Sequence, residues 1–159
     1  MSYEEPLHAA PDVVRHVLER CLMTCIDGLK GYADAATEVA DPALKADLEG
    51  RAAERADLVH RLQQVLLDLG GPHRTRGTLA GGAHRGWMEL RRTLPGRSDV
   101  AVLEECLRGE QGGLRAFEHA MAPAPLQTLP QAARLILQEG YLALRLSVND
   151  LRMRLSSMG

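Results

Sequence analysis

The chain has 159 residues, enough for one domain with a sizeable core. Its 45% hydrophobic and 25% charged residues, net charge of −2 and three cysteines exclude collagen-like, disordered and disulfide-scaffold classes. The 26 Leu and 21 Ala, against 9 Val, 2 Ile and 6 Thr, favour helices over strands.

The periodicity predicts four long helices and one short one. The first begins near Pro11-Asp12 and ends near Ala40, with Val14, Leu18, Cys21, Cys25, Gly28, Tyr32 and Val39 on one face. A second line, Leu22, Ile26, Leu29 and Ala33, widens that stripe. Asp41-Pro42 starts the second helix, with Asp41 as cap. It runs to about Leu69, where Gly70-Gly71-Pro72 stops it. Its apolar face carries Leu44, Leu48, Ala52, Val59, Leu62 and Leu66. A crossover over about 71–97 holds a short helix around Ala83 to Leu94. The third long helix spans about Ser98 to Met121, Ala122-Pro123-Ala124-Pro125 reads as a turn, and the fourth long helix spans about Leu129 to Leu155. That last helix has a main face of Ala133, Leu137, Tyr141, Leu144, Val148 and Leu151. Leu135, Leu142 and Leu146 lie on its opposite side, so a second copy or the connecting helix must cover them. A homodimer is the expectation. Two hairpins joined by a long crossover make an all-α, ferritin-like four-helix bundle, a single domain over 1–159.

Hairpin arithmetic sets the level of the polar residues. With the first turn centred on Asp41, Asp27 and Arg55 are equally far from it. With the second centred near Ala124 or Pro125, Glu110 and Tyr141 are close to level. Asp27, Tyr32, Arg55, Glu110 and Tyr141 are therefore expected in one central polar layer. Glu110 interrupts an apolar series from Val100 to Met121, and a buried carboxylate must be paired, protonated or metal-bound. An ion pair of Arg55 with Glu110 or Asp27 is the preferred reading. A divalent metal held by Asp27 and Glu110 is the alternative, and an Arg in the same layer would repel it.

The crossover is basic, with Arg74, Arg76, Arg85, Arg91, Arg92 and Arg97 against Glu89 alone. These arginines either pair with acidic residues of the first two helices or form a patch for an acidic protein or other anionic ligand. The net charge disfavours a general nucleic-acid binder, and one Trp, three Tyr and one Phe supply few stacking platforms. Cys21 and Cys25, one turn apart within the core stripe, read as buried structural thiols. No apolar run is long enough for a membrane span, Met1 to Ala10 lacks the pattern of a signal peptide, and a cytoplasmic location is expected.

Several motifs carry a resemblance. They are Asp27-Gly28-Leu29-Lys30-Gly31-Tyr32, Ala52-Ala53-Glu54-Arg55-Ala56, Leu69-Gly70-Gly71-Pro72, Leu79-Ala80-Gly81, His84-Arg85-Gly86-Trp87-Met88 and Arg108-Gly109-Glu110. Through them the chain resembles an uncharacterised ferritin-like family of small proteobacterial four-helix-bundle proteins, from about Val13 to Leu151. The resemblance implies the fold and no reaction. The wider superfamily often holds two metal ions with single Glu ligands and two Glu-x-x-His motifs. Here Glu54 is followed by Asp57 and Glu139 by Leu142, so both His ligands are missing. Catalysis is therefore not indicated, no cofactor is implied, and the expected role is a scaffold or stress-associated binding protein with a closed polar layer.

Overall fold

A computed structural model describes residues 11–75, 77 and 98–159. These form five helices: α1 (Pro11–Glu38), α2 (Pro42–Asp68), α3 (Asp99–Ala120), α4 (Pro123–Thr128) and α5 (Gln131–Met158). No strand occurs among the described residues, and no helix there is long and apolar enough to cross a membrane.

The helix ends follow from local chemistry. The Asp41 carboxylate accepts from the Leu44 amide at 3.1 Å, and Pro42 enters the first turn, where its missing N–H costs nothing. Ser98 Oγ accepts from the Ala101 amide at 3.2 Å. Gly70 takes φ +76°, the Gly70 amide donates to Leu67 O at 2.9 Å, and the Gly71 amide donates to Leu66 O at 2.8 Å. This is a Schellman termination, and it explains the Gly-Gly pair. Asp99 joins the two hairpins, because its carboxylate accepts from the amides of Ala40 at 2.9 Å and Asp41 at 3.3 Å.

The segment expected as a simple turn contains α4. Pro123 has the backbone angle a first helical position needs, and Pro130 forces Leu129 into an extended conformation that ends the element. In consequence α5 begins at Gln131 rather than at Leu129. The short helix expected around Ala83 to Leu94 lies outside the described residues.

Helix α1 packs on α2 and α3, and α5 packs on α3 and α2. Helices α2 and α3 thus occupy opposite corners of the bundle, as do α1 and α5. The buried apolar residues divide into two clusters. One gathers Leu18, Leu22, Leu62, Leu66, Phe117 and Leu137. The other gathers Tyr32, Leu44, Leu48, Val102, Leu103 and Leu151. Among the glycines inside helices Gly140 makes the closest approach: a Cβ there would come within 2.4 Å of the Phe117 ring, so only Gly lets α5 pass the ring edge. On the outer side of α5, Leu135, Leu142, Leu146 and Met153 are exposed.

Candidate functional site: a polar layer across the core

Between the two clusters lie Arg55 on α2 and Glu110 on α3, 1% and 3% exposed. Arg55 Nη2 donates to Glu110 Oε1. The pair spans the bundle from corner to corner. The aliphatic stem of Arg55 lies along α1 at Gly28, where an added Cβ would sit 3.5 Å from its Cδ. The guanidinium carbon is 6.0 Å from the centroid of the Tyr32 ring, at the outer limit of a cation–π contact. Arg55 Nε and Nη1 are buried with no hydrogen-bond partner among the described residues. Burial works against the Arg55 charge, but the charge and hydrogen bond of Glu110 outweigh it and raise the guanidinium above its ordinary pKa.

The other diagonal is crossed one step away. Tyr32 Oη on α1 and Ser147 Oγ on α5 share a hydrogen bond of 3.1 Å. Arg51 Nη1 donates to the same Ser147 Oγ at 2.6 Å, its Nε donates to Asp47 Oδ2 at 3.1 Å, and its Nη2 donates to Asp150. Burial, then the Glu110 charge, pushes the Tyr32 phenol well above its usual range. Burial likewise pushes the Cys25 thiol beside this layer up to about 12, and holds Cys21 higher still. Both thiols are therefore packing groups at neutral pH rather than nucleophiles.

Of the residues expected in the layer, the structure brings together Arg55, Glu110 and Tyr32. Asp27 is half-buried on α1 against Gly77, where an added Cβ would collide with its carboxylate. Tyr141 is not in the layer. It packs beside the first apolar cluster and lines an outer groove with Gln111, Leu114, Arg115 and Arg145. The reason is register. Gly113 faces Leu144 and Gly140 faces Phe117, so the level partner of Glu110 on α5 is Ser147. Reading the six-residue α4 as a turn shifted that level to Tyr141. Arg51 and Ser147 are the polar residues the sequence reading missed. Arg51 had a signal, since it lies one turn before Arg55 on the same face; Ser147 had none until the register was known.

Glu139 pairs with Arg61 at 2.6 Å, bridging α5 to α2. Among the described residues no group of three or more His, Cys, Asp or Glu is placed to hold a metal ion. At the start of the crossover, Arg74 grips Glu19 of α1 through Nε and Nη2 at 3.0 and 2.9 Å, and its amide donates to Gln63 of α2 at 2.8 Å. Arg74 is thus held by an acidic residue of the first helix. Arg76, Arg85, Arg91, Arg92 and Arg97 lie outside the described residues.

A family model described as Domain of unknown function (DUF2383) matches residues 13–123. The chain therefore belongs to that family. The match takes in α1, α2, the crossover and α3, and ends where α4 begins. No curated protein matches the chain.

Proposed function

We propose that this DUF2383 protein is a non-catalytic, ferritin-like bundle that works as a cytoplasmic scaffold or stress-associated binding protein. The observation that carries the reading is the Arg55–Glu110 pair. Glu110, the one buried carboxylate among the described residues, is bonded to a guanidinium. A cation entering this layer would meet the Arg55 charge at contact distance, and the two charges would repel. The ligand set of a di-metal centre is also incomplete, since Asp57 and Leu142 stand where its histidines belong and Glu139 is engaged by Arg61. The ferritin-like assignment draws support from the packing order, in which the two hairpins place α2 and α3 on opposite corners. The chain pairs with a second copy through the exposed Leu135, Leu142 and Leu146 of α5.

The test is metal content per chain by mass spectrometry after incubation with Fe(II), Mn(II) and Zn(II) and desalting. Trace, substoichiometric metal is expected. One or two equivalents bound per chain would overturn the reading and make Asp27 and Glu110 the ligands to mutate.

A further inference from the structure

Of the twelve described arginines, Arg15 pairs with Asp12, and Arg20 and Arg134 stand outside both groups that follow. Arg51, Arg55, Arg61, Arg74, Arg108 and Arg154 each reach a carboxylate. Arg115, Arg145 and Arg152 lie in no salt bridge or hydrogen bond among the described residues, and all three line one groove of about 600 Å³ between α3 and α5. Arg145 and Arg152 are two turns apart on α5, with Asn149 between them. Arg115 faces them from α3, one turn beyond Gln111. Leu114 and Val148 form an apolar floor, Tyr141 adds an aromatic wall, and Glu118 is the one acidic residue of the lining. The groove thus carries an excess of two positive charges in a chain whose net charge is −2. Three guanidiniums set against one carboxylate repel one another, and an anion in the groove relieves that repulsion.

We propose that this groove binds a linear oligophosphate, free or carried by a nucleoside. Two helical turns separate Arg145 from Arg152 by roughly 10 Å along the axis. A chain of phosphates distributes its charge along this row and can meet all three guanidiniums without drawing them together. Each guanidinium presents a planar fork that matches two phosphate oxygens. Gln111 and Asn149 supply amide donors beside them. The volume is that of a small-molecule site. The proposal is independent of the scaffold reading and uses none of the crossover arginines.

Isothermal titration calorimetry of the full chain tests it, with sodium tripolyphosphate and then ATP as probes. At about 50 mM salt the expected result is saturable binding of one probe per chain, weakening several-fold at about 200 mM. Binding should fall at least tenfold in the Arg145→Ala/Arg152→Ala variant. Both residues are exposed, so its circular dichroism and urea midpoint should match the parent. Tripolyphosphate at least as tight as ATP assigns the phosphate chain itself; tighter ATP assigns a nucleoside carrier. No saturable heat with either probe, undiminished binding by the double variant, or binding of polyglutamate but not of tripolyphosphate would each overturn the proposal.

Discussion

Arg55 on α2 bonds Glu110 on α3 along a diagonal of the bundle, at the level where the apolar core breaks into two clusters. A hydrogen-bonded charge pair tolerates only a small range of separations. An apolar layer of the same size would tolerate sliding of one helix against the other. The pair therefore favours one register of the two hairpins, together with the Tyr32–Ser147 bond, the Arg51 contacts and the Asp99 carboxylate that also tie them. Such a pair adds little net stability over a well-packed apolar layer, because burial costs both charges their hydration. Its contribution is to the choice of one packing.

The second diagonal is held by a neutral bond. Tyr32→Phe keeps the ring against Arg55 and removes only the hydroxyl 3.1 Å from Ser147 Oγ. Ser147 keeps its bond from Arg51 Nη1, so no buried acceptor is orphaned. Urea unfolding should show a loss of about 1 kcal/mol. Tyr32→Ala, which also opens a cavity, should lose about 3–5 kcal/mol.

Two glycines separate helix propensity from packing. Nothing lies within 4 Å of a Cβ built at Gly109, so Gly109→Ala should gain up to about 1 kcal/mol and raise the melting temperature. At Gly140 the same methyl meets the Phe117 ring at 2.4 Å. Gly140→Ala should lose about 1–3 kcal/mol despite the better propensity, as a compact core resists overpacking. Thermal melts of the two variants should move in opposite directions.

Alkaline pH should unfold the protein before it reaches the arginines. Cys25 is pushed from 9.0 to about 12, and Cys21 and Tyr32 are raised as well. Above pH 9 the unfolded chain releases these protons while the native state keeps them. The native state then binds more protons, and stability falls as pH rises. Unfolding midpoints should be level below about pH 8 and decline from about pH 9 toward 12. In the native protein at pH 8, Cys21 and Cys25 should resist thiol reagents until denaturant is added.

The dimer reading makes its own demand. Leu142 and Leu146 are 56% and 59% exposed on the outer face of α5, so charge there should not disturb the core. Sedimentation at micromolar concentration should give a dimer for the parent and a monomer for Leu142→Lys/Leu146→Lys, with unchanged helix content. A monomeric parent would remove this part of the account.

Much of the architecture was legible in the sequence because helix faces repeat every three to four residues. Asp41-Pro42, Gly70-Gly71 and Ser98 marked their termini through capping chemistry that depends only on neighbours. Glu110 stood out because it interrupts an apolar face, and Arg55 because it borders one. What stayed hidden depended on tertiary register. Ala122-Pro123-Ala124-Pro125 reads equally well as a turn or as the first turn of a short helix, and that choice moved the α5 partner of Glu110 from Tyr141 to Ser147. The Arg115, Arg145 and Arg152 groove was invisible for the same reason. Each arginine lies on an ordinary solvated face until α3 and α5 are placed side by side.

The central claim, that Arg55 and Glu110 form a structural pair rather than half of a metal site, is tested most directly by a urea-unfolding cycle over Arg55→Leu, Glu110→Leu and the double variant. Each single change strands a buried charge and should lose about 3–5 kcal/mol, and the double variant should recover most of that loss. An Arg55→Leu variant as stable as the parent that takes up one equivalent of divalent metal through Glu110 would contradict it.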